Sequence, residues 1–149
     1  MRAVVQRVSE ASVTVRGDVC GAIGRGLLVY LSAAHDDADK DASYLADKVR
    51  HLRIFNDEAG QLNYDLVQTG GSVLVISAFT VLGDARKGRR PSYATAARPE
   101  QANQLYTRFG DVLESFNLTV RRGVFRAHMK VTATNDGPVC ILLDSTKAF

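Results

Sequence analysis

The chain has 149 residues, 46% apolar and 23% charged, with a net charge of +3. That length suits one domain burying about two thirds of its unfolded surface, and no apolar run reaches the roughly 18 residues needed to span a bilayer. Two cysteines, Cys20 and Cys140, are too few for a disulfide framework or zinc knuckle, and read as small apolar fillers within strands.

The first segment, Met1 to Arg7, carries charges inside its apolar run and has no signal-peptide core, so the expected compartment is the cytoplasm. Alternation of apolar and polar residues over Val4 to Val8, and again over Ser12 to Arg16, predicts two half-buried opening strands. Gly17-Asp18 breaks the chain before a short strand, Val19 to Ile23. Leu27 to Leu31 is apolar enough to be a central strand. His35 to Asp39 supplies acidic residues for a helix start, and Ala42, Leu45, Ala46, Val49 and Leu52 form one apolar stripe.

After a short Ile54-Phe55 strand and a turn at Asp57 to Gly60, Ser72 to Phe79 reads as the most buried strand. Arg98-Pro99-Glu100 opens a second helix, with a stripe of Ala102, Leu105, Phe109, Val112, Leu113 and Phe116. Two further strand-like runs end the chain, Met129 to Thr134 and Val139 to Asp144. Asn135-Asp136-Gly137-Pro138 between them reads locally as an ordinary hairpin turn. The predicted class is α+β: a sheet-rich, barrel-like body with two main helices packed against it, in one domain spanning residues 1–149.

Residue chemistry narrows the function. His35, His51 and His128 are scattered, with no cysteine or histidine at ligand spacing, so no metal site is expected. Phosphate-binding glycine loops are missing, and no cofactor motif is present. A Ser77, His128, Asp136 triad can be assembled from residue types, but no spacing supports it. Ser77 and Thr80 end the buried strand, where their hydroxyls are expected to satisfy loop backbone. The run Arg86-Lys87-Gly88-Arg89-Arg90 is an exposed basic loop suited to phosphates, or merely a solvated one.

Taken together, several motifs resemble the D-aminoacyl-tRNA deacylases. They are Met1 to Val8 with Ala11 to Val15, Gly24-x-Gly26-Leu27-Leu28, Leu52-Arg53-Ile54-Phe55, Ser77-x-Phe79-Thr80, Lys87-Gly88-x-Arg90-Pro91-Ser92, Gly123-x-Phe125 and Asn135-Asp136-Gly137-Pro138-Val139. The resemblance implies hydrolysis of the ester between a D-amino acid, or glycine, and the terminal adenosine of tRNA, by a homodimer without cofactor. It implies that Gly137-Pro138 of one subunit enters the other's active site through a cis peptide bond. There its carbonyls would crowd an L side chain, whereas the sequence alone leaves the isomer open.

It further implies that backbone amides around Ala78 and Phe79 hold the substrate carbonyl beside Ser77 and Thr80. Met129 would pack on the adenine, Arg7 would brace the Gly-Pro segment, and Arg86, Lys87, Arg89 and Arg90 would hold tRNA phosphates. Departures include Ala78 in place of glutamine, Val81 in place of leucine, Cys140 in place of threonine, and Arg126 in place of glycine. A guanidinium at position 126 would compete with Arg7 for the Gly-Pro carbonyls or reach tRNA, shifting substrate range. Two alternatives remain: a dimeric tRNA- or nucleic-acid-binding module with little turnover, and a related deacylase with a trans Gly-Pro acting on L-Ala-tRNA.

Overall fold

The computed structural model describes residues 1–149. Strand β1 (Arg2–Val15) pairs antiparallel with both β2 (Asp18–Ile23) and β3 (Gly26–Ser32), which are followed by α1 (Asp39–His51). Next come β4 (Phe55–Asn56), β5 (Leu62–Tyr64), the single-turn α2 (Leu66–Thr69) and β6 (Ser72–Ser77). A 3₁₀ turn at Phe79–Leu82, α3 (Pro99–Ser115), β7 (Val120–Arg122) and β8 (Lys130–Asp144) complete the chain. β4 and β5 pair with each other as a separate small ribbon.

The main sheet runs β2-β1-β3-β6-β7, with β8 on the remaining edge of β1. β3, β6 and β7 are mutually parallel, because the connections through α1 and α3 return each strand in the same direction. The sheet curls until β2 lies over β6 and β7: a Cβ built on Gly21 would come within 3.2 Å of both Leu74 Cδ1 and the Arg122 carbonyl oxygen. The result is a nearly closed, barrel-like sheet with helices packed against it, as the sequence pattern predicts.

Because β3 and β6 are central, both of their faces are buried. Leu27, Val29, Leu31, Val73 and Val75 join the α1 and α3 stripes in the larger apolar cluster, while Leu28, Leu74 and Ile76 join Val8, Val13 and Ile23 in a second. α1 carries Asp39 and Asp41 in its first turn and Lys48, Arg50 and His51 in its last, the arrangement that suits the helix dipole. Its start is held by the Asp41 side chain, which accepts from the Ala38 amide at 3.0 Å. Asp37 is used differently: it is buried, pairs with the Met1 ammonium at 2.5 Å and accepts from the Ala34 amide at 2.6 Å.

Three local expectations fail for reasons of pairing. The two opening strands are one, β1, whose register against β8 shifts on either side of Val8. The shift moves its buried side chains from the larger cluster, at Ala3 and Val5, to the smaller one, at Val8, Ala11 and Val13. The Asn135 to Pro138 segment is not a hairpin. β8 pairs antiparallel with β1 on both sides of it, Asn135 opposite Val8 and Cys140 opposite Gln6, so the Gly-Pro step is a large bulge opposite Arg7. Neither cysteine is a core filler: both are exposed. Cys20 is the unpaired residue of a bulge between Val13↔Gly21 and Thr14↔Val19, and Cys140 lies on the largely uncovered β8.

Candidate active site

The end of β6 builds one wall of the principal cavity. The parallel ladder between β3 and β6 pairs Leu31 with Ser77 and then continues one residue further, the Ala78 amide donating to the Leu31 carbonyl at 2.9 Å. Ala78 then leaves the sheet (φ −144°, ψ 83°), and the chain enters the 3₁₀ turn closed by Val81 N–H to the Ala78 carbonyl, 3.1 Å. The amides of Phe79 and Thr80 open this turn and find no acceptor within the chain. This corrects the expectation for Ala78: its amide is consumed by the ladder, so the unclaimed donors lie at Phe79 and Thr80.

The cavity occupies about 870 Å³ and is lined mainly by apolar side chains from β3, β6, the 3₁₀ turn, the 93–102 segment and the stretch from Phe125 to Val131. Ser77, Ala78, Phe79, Thr80 and Met129 all line it. The hydroxyls of Ser77 and Thr80 make no hydrogen bond to the protein, contrary to the expectation that they satisfy loop backbone. Phe79 is 57% exposed, and its ring meets Tyr93 edge-on, centroids 4.9 Å apart. The rim behind it is tied to the segment that follows β3 through His35 N–H to the Thr95 carbonyl (3.0 Å) and Ala97 N–H to the Ala33 carbonyl (2.9 Å). Deeper in the wall, Tyr106 donates to the Val75 carbonyl at 2.9 Å, and burial pushes its phenol up to about 12.

His128 shares the cavity with Ser77, but no hydrogen bond joins them, and Asp136 lies outside it. Asp136 is instead held by Arg7, whose Nε lies 3.3 Å from its carboxylate and donates to its carbonyl at 2.9 Å. No triad forms. There is likewise no cluster of three His, Cys, Asp or Glu side chains able to hold a metal ion.

Gly137, Pro138 and Arg7 do not line the cavity of their own chain. The Gly137-Pro138 peptide bond is cis, and Gly137 has φ 135°. Arg7 is buried, and its Nη1 donates to the Ile54 carbonyl at 2.7 Å and to Asn56 Oδ1 at 2.8 Å. Its Nη2 lies 3.0 Å from where a Gly137 Cβ would sit. On the far side of the bulge, the Val139 amide donates to Asn135 Oδ1 at 3.1 Å. Arg7 therefore supports the segment from beneath.

The basic loop is closed by paired Asp84 and Ser92, each accepting from the other's amide, and all four of its cations are exposed. Arg86 is committed to Asp84 through two side-chain hydrogen bonds, 2.9 and 2.6 Å, which hold that carboxyl at about 2. Lys87, Arg89 and Arg90 form no ion pair.

The D-Tyr-tRNA(Tyr) deacylase family model matches residues 4–144. A D-aminoacyl-tRNA deacylase of Anaeromyxobacter dehalogenans is 58% identical over 149 residues, with all of both chains covered. The solved structure of a c-Myc DNA Unwinding Element Binding Protein superposes with a TM-score of 0.91 at 38% identity, covering 97% of this chain and 98% of that one. A probable eukaryotic D-amino acid tRNA deacylase superposes with a TM-score of 0.82, covering 95% and 97%, and at 17% identity it shows a shared fold.

Proposed function

Since the chain belongs to the D-aminoacyl-tRNA deacylase family, a hydrolase family acting on the aminoacyl-tRNA ester bond, we propose that its reaction takes place in the cavity at the end of β6. The single observation that carries this is the pair of amides at Phe79 and Thr80, unclaimed by any acceptor at the wall of an apolar cavity. Two such donors suit the carbonyl oxygen of an aminoacyl ester, whose negative charge grows as water adds to the carbon. One well-placed donor of this kind is worth about 3 kcal/mol of barrier.

The ester is already activated, so positioning and these amides do most of what is required of the protein. Water adds to the carbonyl carbon, the bond to the ribose oxygen breaks, and that oxygen takes the proton, releasing amino acid and tRNA. Ser77 and Thr80 line the pocket without acting as nucleophiles. Met129 lies against the terminal adenine, and Lys87, Arg89 and Arg90 meet acceptor-stem phosphates, with Arg86 shaping the loop through Asp84.

Discrimination against L-amino acids rests in this reading on a second copy of the chain, whose Gly137 and Pro138 carbonyls face the substrate's α-carbon. β8 supports a dimer, because its outer edge is unpaired and Leu142 on it is 56% exposed. No helix is long and apolar enough to cross a membrane, and the expected compartment is the cytoplasm, where aminoacyl-tRNA is used. Incubating the purified protein with matched D- and L-tyrosyl-tRNA tests the reading: fast release from the D ester alone supports it, and equal rates overturn it.

A second reading is favoured by the exposed basic loop and by the likeness to the c-Myc DNA Unwinding Element Binding Protein, whose name describes DNA binding: a nucleic-acid-binding protein with little turnover. It predicts salt-dependent binding of uncharged tRNA or single strands with no release of amino acid from either ester.

A further inference from the structure

The segment Val124 to Ala127 is a β-turn: the Ala127 amide donates to the Val124 carbonyl at 3.1 Å, and the residue at the third position, Arg126, has φ 62°. That position of a turn ordinarily calls for glycine, because a Cβ crowds the backbone there. Here the turn is pinned from both sides by packing. Phe125 lies against the larger apolar cluster with its ring 6.1 Å from Tyr106, and Met129 packs against the smaller one.

An arginine is thus carried at the tip of a turn that disfavours it. Of the side chains lining the cavity, Arg126 alone bears a permanent charge. It is exposed, no carboxylate lies within ion-pair distance, and it donates to no carbonyl of its chain, those of Gly137 and Pro138 included. Arg7 does not compete with it, being committed to the Asp136 and Ile54 carbonyls and to Asn56. An exposed, unpaired guanidinium on the lining of a mainly apolar cavity is placed for an anion brought in with the substrate.

We propose that Arg126 is a substrate-binding residue that pairs with the phosphodiester on the 5′ side of the terminal adenosine. This rests on the deacylase reading above. The ester to be cut hangs on that adenosine's ribose, so the 5′ phosphate is the nearest anion of the substrate, one ribose from the bond that breaks. Guanidinium and phosphate match in geometry as well as charge, through two parallel N–H···O bonds.

The test uses full-length protein and its Arg126→Gly and Arg126→Lys variants; glycine fits φ 62° without cost, so loss of fold is not the expected confounder, and circular dichroism checks it. Kinetics are measured on D-tyrosyl-tRNA across about 50 to 200 mM salt, and on D-tyrosyl esters of adenosine with and without a 5′ phosphate. In Arg126→Gly, KM for D-tyrosyl-tRNA rises about three- to tenfold at low salt with kcat little changed. The slope of log kcat/KM against log salt becomes shallower by about 0.7, the value of one single-strand phosphate contact. The preference for the phosphorylated over the unphosphorylated ester falls at least threefold, and lysine restores part of both effects. An unchanged slope, or an equal loss on both adenosine esters, overturns the assignment while leaving the deacylase reading standing. A wild type inert toward all three substrates overturns that reading and the assignment with it.

Discussion

Arg7 Nε donates to the carbonyl oxygen of Asp136 at 2.9 Å, from a side chain whose other nitrogen reaches the Ile54 carbonyl and Asn56. One planar cation thereby ties the start of the β8 bulge to the segment entering β4, which no contact between these two stretches of backbone would do. Lysine has a charge but not the fork. Arg7→Lys is expected to destabilise the chain by about 2 to 3 kcal/mol, since acceptors of charged hydrogen bonds lose their donors. It is also expected to lower the ratio of D to L ester hydrolysis. Urea unfolding and paired kinetics check this; a variant as stable and as selective as wild type would show that Arg7 is only a neighbour of the bulge.

At the cavity wall, the donors are backbone atoms, so side-chain truncation and amide removal should separate. Thr80→Ala and Ser77→Ala are expected to keep deacylation within about tenfold of wild type. Phe79→Pro, which deletes one amide, is expected to lose about 10²- to 10³-fold in kcat, with Phe79→Leu as the control for the lost ring. Complete inactivity of folded Thr80→Ala would instead point to covalent catalysis.

The Asp84–Arg86 pair divides the basic loop. Replacing Lys87, Arg89 and Arg90 together by alanine is expected to raise KM for aminoacyl-tRNA about tenfold or more and flatten its salt dependence. Arg86→Ala alone should do less, because its charge is already met by Asp84. Equal effects from the two variants would remove the distinction.

Arg122 sits under α3 with Nη1 2.7 Å from Glu114 and Nη2 2.9 Å from Asp111. The guanidinium passes so close to Gly110 that a Cβ there would overlap its Nε and Nη2. Gly110→Ala is therefore expected to displace the Arg122 guanidinium and break its two ion pairs, a loss that offsets the gain of about 1 kcal/mol that alanine ordinarily brings over glycine within a helix. The hydrogen bond from Arg122 lowers the Glu114 carboxyl below its usual 4.5. A depressed carboxyl stabilises the fold above the unfolded value and loses that contribution as pH falls through the folded one. Glu114→Gln should accordingly be less stable than wild type at about pH 7 and no different near pH 2. A deficit that persists in acid would locate the effect in packing rather than charge.

Much of this architecture can be read from local pattern. Period-two alternation marks the two halves of β1, the apolar runs from Leu27 to Leu31 and from Val73 to Ile76 mark strands buried on both faces, and stripes through Leu45 and Phe109 mark the two long helices. These features depend on neighbours along the chain, and so do the short motifs around Ser77, Lys87 and Asn135 from which the family could be recognised. The 3₁₀ turn at Phe79 carried no comparable signal, because its free amides belong to backbone that any residue supplies.

By itself, then, the amino-acid order determines the two long helices with their buried faces, the central apolar strands, and which family they compose. Tertiary pairing decided the rest. Asn135 to Pro138 has the residues of a turn, yet both of its flanks lie along β1, and a segment flanked by two stretches of ladder to one partner can only be a bulge. Ala78 loses its amide to Leu31, far earlier in the chain, and Arg7 is withdrawn from the cavity by partners at Ile54, Asn56 and Asp136. Backbone donors are identical at every position until a distant acceptor claims some of them, so which ones stay free is settled only when the strands meet.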